Sequence, residues 1–250
     1  MTNGDSAPRP LRIGECTPDE VRRAAAATGQ LILPVGTTEQ HGMHLPLGAD
    51  TIIVERLADD LSAEFQVLRA PAVSYGVNDP VAERFSGGGA SVRRKTLRRL
   101  VNDLLPDWEE LGIREVLIIT MNAYAPHQEA LGTVVAKRAR IRVIDILSLD
   151  FGDLVEHPDD PVHGGELDTS LVLYLRPDLV RMAAATDHIL PEEHLRRYRR
   201  GAALVIPEAS SGSVGRASKA SADKGRRLYE FILNRMRERV FKTNTVTGQG

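Results

Sequence analysis

Glu39, His41, His44 and Asp50 fall within one short stretch, Gly36 to Asp50, that reads GTTEQHGMHLPLGAD. Carboxylates and imidazoles at that density are the donors of a divalent-metal site. Imidazole is a borderline ligand and carboxylate a hard one, a mixture that suits zinc, manganese or iron. Gly42, Pro46 and Gly48 forbid a regular element through the polar part, so the donors ride on a rigid, turn-rich loop. A second polar group follows at His163-Gly164-Gly165-Glu166-Leu167-Asp168-Thr169-Ser170. Its two glycines let the backbone approach a ligand closely, and Glu166 opens an apolar helix containing Leu171, Val172 and Leu175. Taken alone, Glu166 and Asp168 could equally serve to complement the helix dipole. A third group, Ser211-Gly212-Ser213-Val214-Gly215, is glycine-rich but has no lysine at the spacing of a phosphate-binding loop. Cys16 precedes a helix start at Thr17 with no neighbour to activate its thiol, and reads as a small packing residue.

The elements that must position these residues alternate along the chain. Thr17 caps a short helix with Asp19 and Glu20 in its first turn. Leu31 to Gly36 reads as a buried strand feeding the first polar loop, and Thr51 to Glu64 carries Ile53, Leu57 and Leu61 at helical spacing. Gln66 to Val73 reads as a strand, Tyr75 to Ala90 as an irregular loop, and Ser91 to Leu111 as a basic-faced helix interrupted by Pro106. Glu115 to Met121 is a buried strand, Pro126 to Arg140 a helix and Ile141 to Ile146 a further strand. A long helix from about Ala217 to Phe241 has Leu228, Phe231, Ile232 and Met236 on one face and arginines on a solvated one. Strands separated by helices of this length imply an α/β fold: a mainly parallel central sheet, helices on both faces, the first and central strands adjacent in its middle. The expected organisation is a loose segment over residues 1–10, one α/β domain over 11–242 and a loose tail over 243–250.

Composition narrows the partners. Hydrophobic content of 42%, charged content of 26% and a net charge of -2 leave no electrostatic footprint for nucleic acid or an anionic membrane. One cysteine permits no internal disulfide, and neither a signal peptide nor a long apolar run is visible. The expectation is a cytoplasmic protein acting on a small molecule, with exposed apolar helix positions that allow self-association.

The three polar groups, in this order, resemble the signature elements of the creatininase family of metal-dependent amidohydrolases. The family's EQHGPHLPL loop is followed from Gly36 to Asp50 with Met43 at the usual proline. Its HAGE-x-ETS element appears at His163 to Ser170, and its closing glycine pattern around Gly212, Gly215, Ala220 and Gly225. The resemblance spans roughly residues 30 to 240 and implies a creatininase-like single domain, a two-metal site, hydrolysis of C–N bonds and a hexamer built as a trimer of dimers. Carried over residue by residue, it implies that Glu39 binds one metal, His41 the other, that Asp50 bridges both, that Glu166 completes the second metal's ligand shell, and that His163 is the acid/base. One departure stands out. Where the family reads NGHGGN, with a histidine ligand of the first metal, this chain reads Asn122-Ala123-Tyr124-Ala125-Pro126-His127. Tyr124 takes the histidine's place, and either its phenol or His127 is left to supply the ligand. The FPGT-type loop is altered too, to Phe85-Ser86-Gly87-Gly88-Gly89. These changes imply one or two divalent ions per chain (zinc, manganese or iron) and a substrate other than creatinine, or a homologue that binds without turnover; a carbon–carbon hydrolase of a cyclic diketone also stays open.

Overall fold

The computed structural model describes residues 8–80, 88–199, 206 and 210–241. Phe85, Ser86, Gly87 and the tail from 243 onward lie outside the described residues, as does most of the N-terminal segment. Five parallel strands form one sheet in the order β1-β3-β2-β4-β5, with β1 Leu11–Arg12, β2 Gln30–Val35, β3 Leu68–Arg69, β4 Glu115–Thr120 and β5 Arg140–Asp145. The expected adjacency holds. β2 and β4 pair along their whole length, from Gln30 opposite Glu115 to Val35 opposite Thr120.

Side-chain alternation on these two strands builds two cores. Leu31, Leu33, Val35, Val116 and Ile118 face one side, where they meet helices α1 (Pro18–Thr28), α3 (Arg94–Glu110) and α4 (Ala125–Gly132). Ile32, Leu117 and Ile119 face the other, against α2 (Ala49–Phe65), α5 (Glu166–Leu175) and α7 (Ala222–Met236). Each such buried aliphatic side chain contributes roughly 1.5–3 kcal/mol. A further helix, α6 (Glu192–Arg199), packs through Leu195 beside Leu190, Ile206 and Val214. Among the described residues no helix is long and apolar enough to cross a membrane.

Local chemistry explains where sequence expectation and structure part. Thr17 caps α1 as expected, in a capping box with Glu20. The strand expected over Gln66–Val73 is interrupted after Leu68–Arg69 at Pro71, which has no N–H to donate to the ladder, and pairing resumes as an isolated bridge between Val73 and Val35. The break expected at Pro106 does not occur. Leu97, Val101 and Leu105 bury one face of α3, and that packing outweighs the roughly 3 kcal/mol a helical proline costs. The helix expected from Pro126 to Arg140 ends at Gly132 instead. Beyond it, Asn102 accepts from the Val135 N–H, and Glu109 Oε1 from those of Arg138 and Ala139, so side chains of α3 satisfy the backbone in helix's stead. The last helix begins at Ala222, capped by Ser221, and finishes in a wide turn over Arg237–Phe241.

Candidate active site

The loop from Thr37 to Gly48 leaves the carboxyl end of β2 and runs into α2, and Asn122 lies just past the carboxyl end of β4. Carboxyl ends of adjacent parallel strands are where an open α/β sheet gathers a ligand site. The loop closes on itself through the Glu39 N–H, which donates to the Leu47 carbonyl at 2.9 Å. It is not a water-facing loop: Glu39, His41, His44 and Asp50 are all buried. Asp50 sits in the first turn of α2, where the helix N-terminus favours its charge. Its Oδ2 accepts from the Thr37 hydroxyl at 2.7 Å, and its Oδ1 lies 3.2 Å from His41 Nε2.

His41 is oriented from behind. Its Nδ1 donates to the Glu39 carbonyl at 3.1 Å, which aims Nε2 at Asp50. Glu39 Oε1 accepts from the Asp79 N–H and Oε2 from Asn122 Nδ2, both at 3.0 Å, and the same amide reaches Asp50 Oδ2 at 3.4 Å.

The second polar group closes over this floor. His163 stacks on His41 with ring centroids 4.7 Å apart, and Gln40 Nε2 lies 3.2 Å from His163 Nε2 while also donating to the Gly212 carbonyl. Gly164 has φ +69°, and a Cβ there would come within 2.2 Å of the His41 carbonyl oxygen, so only glycine permits this approach. Its N–H donates to Asp168 at 2.6 Å. The glycine-rich loop at 210–215 also belongs to this wall: Val214 bridges to His163, and Gly212 holds Gln40.

Burial and neighbouring charges spread the proton affinities. Burial works against charge on His41, but the Asp50 carboxylate overcomes it and pushes the imidazole up to about 10. Asp50 is correspondingly held below its ordinary value, burial notwithstanding. Burial raises Glu39 to about 7 and Asp168 to about 6, with Asp50 adding to both and His41 opposing. Burial and the His41 charge drive His163 down to about 3 and His44 to about 4, so both are neutral imidazoles.

Several residues expected at the metal site have other partners in this structure. Glu166 does not join the cluster. It pairs with the buried Lys224 ammonium, accepts from the Glu156 N–H at 3.0 Å, and lines a separate cavity of about 140 Å³ behind the loop, with Leu147, Phe151, Val162 and Arg216. Two residues apart on a helix lie on opposite faces, so Glu166 and Asp168 cannot both look at His41. It is Asp168 that does. His127 is hydrogen-bonded at both ring nitrogens: its Nδ1 accepts from the Val77 N–H at 3.2 Å and its Nε2 donates to Thr120 Oγ1 at 3.0 Å. Tyr124 immediately precedes α4, and burial, with Asp79 and Glu39 nearby, holds its phenol above the usual value. Asp168, Asn122 and Gln40 are the site residues that the sequence reasoning did not single out. The signal for Asp168 was the helical phase itself, since the face opposite Glu166 was free.

Among the described residues no three His, Cys, Asp or Glu side chains are gathered as a ready metal cage. The donor set nevertheless fits one ion. His41 Nε2 and Asp50 Oδ1 are 3.2 Å apart, close to the ~3.3 Å edge that bonds of about 2.0–2.1 Å give in a tetrahedral shell. A proton on Nε2 and a divalent cation between the two atoms are alternative ways to satisfy Asp50.

Comparison with known proteins identifies the family and the fold. The sequence model of the creatininase family, described as creatinine amidohydrolase, matches residues 14–240. Creatinine amidohydrolase of Pseudomonas putida is 28% identical, over 88% of this chain and 92% of its own length. The mycofactocin precursor peptide peptidase of Mycolicibacterium smegmatis is also 28% identical, over 88% of this chain and 87% of its own. The fold matches a solved structure of creatininase with manganese at a TM-score of 0.75 and 22% identity, covering 92% of this chain and 98% of that one.

Proposed function

Because this chain belongs to the creatininase family, we propose that it is a hydrolase that cleaves a C–N bond in a small amide, with one divalent ion held at His41 and Asp50 and Glu39 beside them. The observation that carries the reading is the geometry of His41. Its Nδ1–H is anchored on a carbonyl, its Nε2 is aimed at a carboxylate, and a second, neutral imidazole lies flat against its ring. When bound, the ion would lower the pKa of water and polarise the scissile carbonyl. The chain's own residues do the rest. Gln40 donates to His163 Nε2 and so leaves the proton of the neutral ring on Nδ1, an N–H that can donate a hydrogen bond to the substrate. Asp168, pushed up to about 6, is poised to exchange a proton near neutral pH. The Gly164 approach seals the wall against His41 and keeps bulk water from the carboxylates. The substrate is an amide other than creatinine, since this chain departs from the family at Met43 and at Tyr124. The relatives' activities, on creatinine and on a peptide, bracket the class.

The loss of the ligand histidine at Tyr124 favours a second reading, in which the chain binds a ligand without turning it over. Metal content per chain, together with hydrolysis across a panel of cyclic and linear amides and short peptides, separates the two. The hydrolase reading expects one ion and a rate that falls about a hundredfold to ten-thousandfold in His163→Ala at unchanged metal content. No ion after metal loading, or no hydrolysis of any member, gives the second reading.

A further inference from the structure

His44 is wholly buried three residues past His41, yet no step of the hydrolysis above uses it. Its Nε2 lies 2.9 Å from Thr169 Oγ1. The Thr169 hydroxyl donates its one proton to the Gly164 carbonyl at 3.3 Å, so Nε2 is the donor of the shorter bond and the ring carries its proton there. Nδ1 is then a bare acceptor. The Ser213 hydroxyl, a donor, is buried too, and among the described residues neither atom has a partner. An unmet buried donor or acceptor costs about 1–3 kcal/mol. The two orphans converge on one place. A Cβ at Gly42 would lie 3.0 Å from His44 Nδ1 and 3.0 Å from Ser213 Oγ, so both flank the same bare Cα and stand no more than about 6 Å apart.

We propose that the Ser213 hydroxyl donates to His44 Nδ1, directly or across one internal water beside Gly42, and that His44 is a positioning residue tying the three polar segments of the site together. The imidazole joins the ligand loop to Thr169 of the second segment and to Ser213 of the third. Those two partners bear on His41 through Gly164. A Cβ at Gly164 would come within 2.2 Å of the His41 carbonyl oxygen and 3.0 Å of Ser213 Cβ, so the tie sets how closely the wall sits on His41 and, with it, the aim of Nε2 at Asp50. The bond itself is independent of the hydrolase reading; its effect on the ion rests on that reading.

Nitrogen NMR of the histidine rings tests the bond before any metal is added, with the His44 signals assigned by their loss in His44→Gln. Nε2 should be the protonated nitrogen. The Nδ1 resonance should move in Ser213→Ala to the higher frequency of an unbonded lone pair, a change that loss of packing alone would not give. Calorimetric titration with Mn²⁺ tests the positioning role, and Ser213→Ala should bind about tenfold more weakly than wild type. An Nδ1 resonance that is the same in wild type and Ser213→Ala, or a proton on Nδ1, would overturn the proposal. A shifted resonance with equal Mn²⁺ affinity would overturn the positioning role. A shifted resonance in a wild type that binds no Mn²⁺ would uphold the bond and remove the metal-dependent reading together with the positioning role.

Discussion

His127 should make the protein's stability depend on acid in a way that one substitution can isolate. The imidazole is fully buried, accepts the Val77 N–H, donates to Thr120, and is packed against the Gly76 backbone. Burial lowers it from 6.5 to about 4. Above pH 6.5 the ring is neutral in both folded and unfolded chains and costs nothing. Below it the unfolded chain takes up a proton that the folded chain refuses, so stability is lost as pH falls from 6.5 toward 4. At about 1.4 kcal/mol per pH unit this one residue removes roughly 2 kcal/mol at pH 5, a shift of some 4–8 °C in melting temperature for a chain of this size. The total slope is not diagnostic, since burial raises Asp168 and Asp145 to about 6 and these oppose it in the same window. The difference between wild type and His127→Gln is diagnostic, because glutamine can keep both hydrogen bonds but does not titrate. Urea unfolding at pH 7.5 and pH 5 should show wild type losing about 2 kcal/mol more than the variant. Equal losses, or an NMR titration of this ring at an ordinary pKa near 6.5, would refute the assignment of His127 as a buried neutral residue.

Three other substitutions bear on the site and its support. Glu166→Gln should leave bound metal unchanged and lower stability by about 1–3 kcal/mol, because Lys224 keeps Glu156 and the Lys219 carbonyl but loses its buried partner; loss of metal on dialysis would return Glu166 to the ligand set. Asp168→Asn keeps the acceptor for the Gly164 N–H while removing the exchangeable proton, so turnover on the true substrate should fall about a hundredfold or more with metal retained, and an unchanged rate would deny Asp168 a part in proton transfer. Gly225→Ala would place a Cβ within 1.8 Å of the Ser170 carbonyl where α5 and α7 meet, and should cost more than about 2 kcal/mol in chemical unfolding; a neutral result would mean that the two helices can part easily.

What the sequence revealed was what is written locally. The β2 strand, the ligand loop and the start of α2 follow from apolar runs, glycines, prolines and the placement of Asp50, all within one window. Adjacent placement of β2 and β4 followed from their apolar composition, since strands covered on both faces belong in the middle of a parallel sheet. The failures came from partners distant in the chain. Nothing near Ala136 announces that Glu109 will accept two of its neighbours' N–H groups, and nothing near Glu166 announces Lys224. Glu166 and Asp168 were both visible in the sequence, and helical phase sets them on opposite faces, with Asp168 on the side of His41.

The sheet is unevenly built, with full six-residue pairing across β2, β4 and β5 but only two-residue pairing at β3 and β1. Free energies of local opening should grade accordingly, with the β1–β3 margin exchanging its amide hydrogens through small fluctuations and β2 and β4 only through global unfolding. The loop that carries Glu39, His41 and Asp50 and the segment that carries Asn122 both spring from those two innermost strands. The reactive groups are therefore moored to the slowest-opening part of the molecule, and the margin can breathe without disturbing their spacing.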